Sequence, residues 1–130
     1  MKTVITFGTF DVFHVGHANL LQRAAALGDR LIVGVSTDDL NIKKKGRAPI
    51  YKQEDRMKII NSLRYVNFCF EEETLEKKAH YISLYGADVL VMGDDWLGKF
   101  DHLKTLCEVV YLARTPSIST TEIIEVIGSV

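Results

Sequence analysis

Three segments of the chain concentrate side chains suited to holding phosphate. The first, Gly8-Thr9-Phe10-Asp11-Val12-Phe13-His14-Val15-Gly16-His17, joins an apolar run to a helical pattern. A glycine here lets backbone come close to an anion, and a helix start offers unpaired N–H groups and a positive dipole end. His14 and His17 stand three apart, a spacing that sets both imidazoles on one side of a helix entry. The second, Lys43-Lys44-Lys45-Gly46-Arg47, packs four cations into five residues of a chain whose formal net charge is −1. Such a run reads either as a solvated loop or as a clamp folding over an anion. The third, Ala113-Arg114-Thr115-Pro116-Ser117-Ile118-Ser119-Thr120-Thr121-Glu122, brings an arginine fork and several hydroxyls to a helix start, where Ser119 and Glu122 match a capping box. Neither the dinucleotide fingerprint G-x-G-x-x-G nor the P-loop G-x-x-x-x-G-K-[ST] is present. As a zinc pair, His14 and His17 lack an obvious third and fourth ligand. The plain alternative is two unrelated polar residues near a helix start.

The elements that must position these segments are legible as an alternation. Apolar runs rich in β-branched residues occur at Thr3–Phe7, Leu31–Val35, Val66–Phe70, Val89–Met92 and Val109–Leu112. Near-continuous hydrophobicity suits strands covered on both faces, as in a parallel sheet. Between them, Leu20, Leu21, Ala24 and Leu27 share one helical face, with Gly28 at the expected C-terminal cap. Met57, Ile60 and Leu63 repeat at three-residue steps; Ala79, Ile82 and Tyr85 close at Gly86. A short helix at His102–Leu106 and a last one with Ile123, Ile124 and Ile127 complete the set. This predicts an α/β fold, a Rossmann-like doubly wound parallel sheet of about five strands forming one domain over residues 1–130. Ligands of such sheets bind outside the carboxyl ends of the strands. There the chain reads Gly8-Thr9-Phe10-Asp11, Ser36-Thr37-Asp38, Glu71-Glu72-Glu73, Gly93-Asp94-Asp95 and Ala113-Arg114-Thr115.

Composition narrows the partners. With 47% hydrophobic and 25% charged residues, the 130-residue chain is globular in type. Its balanced charge gives no basic field for nucleic acid. No apolar run approaches the roughly 18 residues of a membrane span, and Met1–Ile5 is too short for a signal peptide. Cys69 and Cys107 read as buried thiols in a reducing cytoplasm. A cytoplasmic protein without nucleic-acid or membrane partners is expected.

Gly8-Thr9-Phe10-Asp11 followed by His14-Val15-Gly16-His17 resembles the G-x-F-D-x-x-H-x-G-H signature of the cytidylyltransferase-like nucleotidyltransferases. Arg64-Tyr65-Val66-Asn67 resembles the R-Y-V-D segment of their glycerol-3-phosphate and choline-phosphate members. Arg114-Thr115 with Ile118-Ser119-Thr120-Thr121 resembles the R-T-x-G-I-S-T-T ending of that branch, and Met92-Gly93-Asp94-Asp95-Trp96 with Gly98-Lys99-Phe100 is similar too. These segments occur in the family's order and cover essentially the whole chain. Three positions depart: Asn67 replaces the family's Asp, Ser117 its Gly, and Leu75 lies where the glycerol-3-phosphate members carry a Trp.

The resemblance implies transfer of CMP from CTP to a phosphorylated alcohol, glycerol 3-phosphate first among them, with release of pyrophosphate. It implies Mg²⁺ bound with the CTP, a homodimer, and a setting in teichoic acid or capsule precursor supply. Carried over by motif, His14 and His17 serve the triphosphate, with Thr9, Phe10 and Gly16 shaping that site. Lys44, Lys45 and Arg47 neutralise phosphates, Lys78 contacts the acceptor, and Arg64 assists binding. Arg114, Thr115, Ile118, Ser119, Thr120 and Thr121 hold the nucleotide. Asp11 and the Gly93-Asp94 loop order Mg²⁺ without a full protein metal cage. Adenylyl transfer within the same superfamily, a non-catalytic nucleotide-binding module and a flavodoxin-like electron carrier remain as alternatives.

Overall fold

A computed structural model describes residues 1–116 and 118–129. Five strands, β1 (Thr3–Gly8), β2 (Arg30–Ser36), β3 (Phe68–Glu72), β4 (Val89–Gly93) and β5 (Glu108–Leu112), pair in parallel in the order β3-β2-β1-β4-β5. The helices are α1 (Val15–Ala25), α2 (Asp38–Lys45), α3 (Gln53–Asn61), α4 (Lys78–Tyr85) and α5 (Thr120–Gly128). The runs are apolar throughout because both faces of the sheet are covered. Val4, Val33 and Val91 pack with Leu21 and Ala24 of α1 and Ile60 of α3. Ile5, Leu90 and Met92, the alternating neighbours, pack on the other face with Tyr81 and Ile82 of α4. Truncating a fully buried Leu or Ile here to Ala costs about 2–5 kcal/mol.

The order 3-2-1-4-5 differs from the flavodoxin order 2-1-3-4-5. It also sets the place for a ligand. The chain runs outward from β1 through β2 to β3, then returns to the other side of β1 at β4. The crevice therefore lies over the carboxyl ends of β1 and β4.

Three sequence expectations need correcting. β3 begins at Phe68, two residues late, because Val66 and Asn67 still belong to the turn that follows α3: the Val66 N–H donates to the Leu63 carbonyl. Gly28 does not cap α1, whose cap residue Ala26 is right-handed. Gly28 is instead crowded, since a Cβ there would lie 2.7 Å from the Lys2 carbonyl oxygen. The Lys43–Lys45 run is not a loop but the last turn of α2. Thr37 caps that helix by accepting from the Leu40 N–H, Asp38 and Asp39 occupy its first turn, and Gly46 ends it in the left-handed region at φ 75°. Acids at the start and cations at the end both suit the helix dipole.

Candidate active site

The carboxyl ends of β1 and β4 open on a cavity of about 360 Å³ lined by all three phosphate-type segments. Its floor is the turn after β1. Gly8 is required there, since a Cβ would come within 2.8 Å of the Phe10 ring. Phe10 and Val12 both adopt left-handed backbone, at φ 54° and 47°. That is a strained conformation costing on the order of 1–3 kcal/mol per residue unless the surroundings impose it. The surroundings do. The Phe10 ring is buried, with its edge against His17 at 5.5 Å. Between the two strained residues, the Asp11 carboxylate accepts from the N–H groups of Val12 (3.0 Å), Ile50 (2.7 Å) and Tyr51 (2.8 Å). The Thr120 hydroxyl donates to the Asp11 carbonyl at 2.8 Å.

The two histidines close this turn reciprocally. His14 caps α1, its Nδ1 accepting from the Gly16 N–H at 3.0 Å, while its own N–H donates to His17 Nδ1 at 3.2 Å. The rings stack with centroids 3.8 Å apart. Gly16 makes this possible, because a Cβ there would lie 2.8 Å from the His14 ring. Burial, reinforced by His14 and opposed by Asp11, pulls the His17 pKa down to about 4. Burial, then the Arg114 charge, lowers His14 as well. Both rings are therefore neutral near pH 7. With Nδ1 accepting in each, the single ring proton sits on Nε2. The turn thus presents two fixed Nε2–H donors without net charge.

A buried cation that the sequence motifs do not mark braces the opposite wall. Arg56 of α3 is fully buried and donates from all three guanidinium nitrogens. It donates to the carbonyls of Thr9 (2.9 Å), Ser36 (2.8 Å) and Tyr51 (3.0 Å), and to Asp38 at 2.8 Å. One side chain so joins the ends of β1 and β2, the start of α2 and the segment 47–52. Thr9 adds to this brace by donating to Asn41 at 2.9 Å, with Ser36 Oγ 3.0 Å away. The bracing holds Lys45, Arg47, Pro49 and Ile50 along the cavity rim.

The third wall is the end of β5 and the start of α5. Arg114, Thr115, Ile118, Ser119, Thr120 and Thr121 all line the cavity. Ser119 caps α5 by accepting from the Glu122 N–H at 3.1 Å, and the Thr115 hydroxyl accepts from Asn19 at 3.1 Å. Arg114 is half exposed and lies 3.5 Å from Asp95, a contact too solvated to hold it firmly. Ser117 lies outside the described residues. Trp96, Leu20, Leu112 and Ile124 supply apolar walls. Trp96 belongs to the Met92–Trp96 segment, but no motif points to Leu20, Leu112 or Ile124, whose apolar character is equally that of core residues.

A smaller cavity of about 180 Å³ adjoins the first and shares Phe7, Gly8, Thr9, Lys45, Met92 and Trp96 with it. Lys44, Leu75, Glu72 and Lys78 complete its wall. Lys44 is exposed as a residue, yet loss of water around its ammonium lowers its pKa, with Glu72 opposing and neighbouring cations adding. Lys78 is almost fully buried and already paired with Glu72. Burial raises the Glu72 pKa while Lys78 counters it.

Most residues expected from the motifs line one of the two cavities, with two exceptions. Arg64 is exposed and lines neither cavity: it precedes β3 and so lies at the amino-terminal end of the sheet. Asp94 is exposed and off the cavity wall, where Asp95 takes its place beside Gly93. Asp11 lines the cavity, but its two oxygens accept three backbone N–H groups, which makes it a tether of the 47–52 segment. Asn67 uses its side-chain oxygen to accept from the Leu31 N–H at 2.8 Å, an acceptor that an Asp would also supply.

A sheet of this order with a paired-histidine turn at its crevice defines a nucleotidyltransferase type of site. The chain belongs to the cytidylyltransferase-like family, whose model matches residues 5–126. It is 52% identical to the glycerol-3-phosphate cytidylyltransferase of Bacillus subtilis (strain 168), over 98% of both chains. It is 47% identical to the glycerol-3-phosphate cytidylyltransferase of Staphylococcus aureus (strain NCTC 8325 / PS 47), covering 95% of this chain and 92% of that one. Among solved structures, a lipopolysaccharide core biosynthesis protein from Thermoplasma volcanium GSS1 superposes with TM-score 0.74 at 23% identity, over 88% of this chain and 98% of that one. The last likeness is one of fold.

Proposed function

We propose that the two adjoining cavities bind CTP and glycerol 3-phosphate side by side and transfer CMP from one to the other. The observation that carries this is their shared edge at Gly8, Thr9 and Lys45, which brings two phosphorylated ligands within reach of each other beside His14 and His17. The donor and acceptor follow the names of the full-length relatives. A phosphate oxygen of glycerol 3-phosphate attacks the α-phosphorus of CTP. The new P–O bond forms as the bond to the β-phosphate bridging oxygen breaks, giving CDP-glycerol and pyrophosphate. The attacking phosphate is already an anion, so no enzyme base is required. Rate then comes from positioning and from charge stabilisation. His14 and His17 donate Nε2–H to the triphosphate as its charge redistributes. The open N–H groups at the start of α5, with Ser119 and Arg114, hold the departing phosphates. Lys44, Lys45 and Arg47 offset the repulsion between the two substrates.

Mg²⁺ would be bound together with the CTP. Among the described residues, no three His, Cys, Asp or Glu side chains gather to hold a metal. Asp11 and Asp95 are the carboxylates on the larger cavity. An ion held mainly by phosphate and water would fit this lining and would supply charge neutralisation on the phosphates. A homodimer and a cytoplasmic place supplying teichoic acid or capsule precursors belong to the same proposal. Among the described residues no helix is long and apolar enough to cross a membrane, and light scattering should give about twice the 14.7 kDa chain mass. The function is tested by pyrophosphate release from CTP or ATP across glycerol, ethanolamine, choline and sugar phosphates. CTP with glycerol 3-phosphate should give the highest kcat/KM; faster turnover with ATP or another acceptor overturns the assignment.

A further inference from the structure

The smaller cavity contains an arrangement that acceptor binding by Lys44 and Lys45 leaves unexplained. The Lys78 ammonium lies 4.7 Å from the centre of the Phe7 ring and 5.1 Å from that of Phe100, and is ion-paired with Glu72. Lys78 is 3% exposed and Glu72 1%. Two aromatic faces and a carboxylate around a desolvated cation make an ammonium cage, the construction by which proteins recognise amine ligands. Here the chain fills the cage with its own side chain. Glu72 and Lys78 both line the cavity, and Lys44 stands close enough for Glu72 and Lys78 to act on its charge.

We infer that Lys78 is a specificity-determining residue: by occupying this cage it bars phosphorylated alcohols that carry an ammonium group and leaves the smaller cavity to uncharged polyol phosphates. This rests on the smaller cavity being the acceptor's. An acceptor phosphate held near Lys44 and Lys45 would carry its alcohol end toward the Lys78–Glu72 wall. A neutral hydroxyl is tolerated there. A second ammonium would face Lys78 with Glu72 already engaged, and like charges in such a site cost several kcal/mol.

Lys78→Ala empties the cage while keeping Glu72. Ethylammonium chloride should restore what the variant lacks, raising its Tm above that in sodium chloride of equal concentration, while the wild type shows no such difference. With substrates, the ratio of kcat/KM for phosphoethanolamine over glycerol 3-phosphate should rise by about 10²-fold relative to wild type. The ethylammonium result is read without substrate, so it stands apart from the acceptor assignment, which wild-type turnover of glycerol 3-phosphate tests separately. Equal Tm in both salts overturns the inference, as does insolubility in both. A folded variant that loses the two acceptors in equal proportion overturns it too, since that is the behaviour of a residue that only supports the wall.

Discussion

The turn after β1 and the basic end of α2 face each other across one cavity and are built in opposite ways. In the turn, nearly every polar group has a partner inside the protein. Asp11 accepts three N–H groups, His14 and His17 cap one another, and two residues are held in left-handed backbone. At the end of α2, Lys45 and Arg47 are exposed, and among the described residues neither is in a salt bridge. The difference follows from the ligand. Donors that must aim at one α-phosphate have to be fixed beforehand, whereas cations that gather phosphates can close on them. Arg56 marks the boundary: it is a cation beside a phosphate site, yet all its donors face protein. Charge near the cavity is therefore no guide to function unless burial is known.

The largest effect should come from breaking the brace between the two regions. Arg56→Met removes the donor to three carbonyls and to the partly exposed Asp38, and each buried acceptor left unpaired costs about 1–3 kcal/mol. Urea unfolding should show that loss; a change under 1 kcal/mol would mean the two walls hold themselves without the brace. Next come the histidines. His14→Ala and His17→Ala should each lower kcat/KM for CTP by about 10²–10³, the cost of losing one preorganised donor. The double variant should lose less than the product of the two, because both act on the same developing charge.

Lys44→Gln and Lys45→Gln sharpen the contrast from the other side. Each should raise KM for glycerol 3-phosphate or CTP by about tenfold, as expected for a lost charge-assisted contact. Stability should stay within about 0.5 kcal/mol. Unchanged kinetics in both would return this helix end to a solvated surface.

What the sequence made legible divides along the same line. The strand runs, the switch point they imply and the segments around His14, Lys45 and Arg114 depend on short-range patterns, and the structure places them together. Arg56 was invisible because its four partners are scattered from Thr9 to Tyr51, and no local pattern records a buried guanidinium. Arg64 was carried by motif alone, and its place before β3 takes it to the far end of the sheet. α2 was present in the sequence as Thr37-Asp38-Asp39 and Gly46, a cap, an acidic start and a left-handed stop. The cations between them drew the reading toward a loop. The tethering part of Asp11 was not legible, because its bonds to the Ile50 and Tyr51 N–H groups span about 40 residues.

A further effect is on pH dependence. His17 has a folded pKa of about 4 against 6.5 unfolded, so between those values the unfolded chain binds a proton that the folded one refuses. Stability should therefore be highest above pH 6.5 and decline as pH falls toward 4. His17→Gln should flatten that part of the profile in urea titrations, while an unchanged slope would assign it to other groups.

The central claim is that the imidazole pair acts on the triphosphate as fixed neutral donors, beyond its part in starting α1. His14→Asn separates the two roles, since asparagine caps helices well but places no Nε2–H in the cavity. Tm and kcat/KM for CTP should be measured on the same preparation. The account predicts a melting temperature close to wild type with kcat/KM lower by about 10². A folded His14→Asn enzyme with near-normal turnover, or one whose activity falls only as its Tm does, would contradict it.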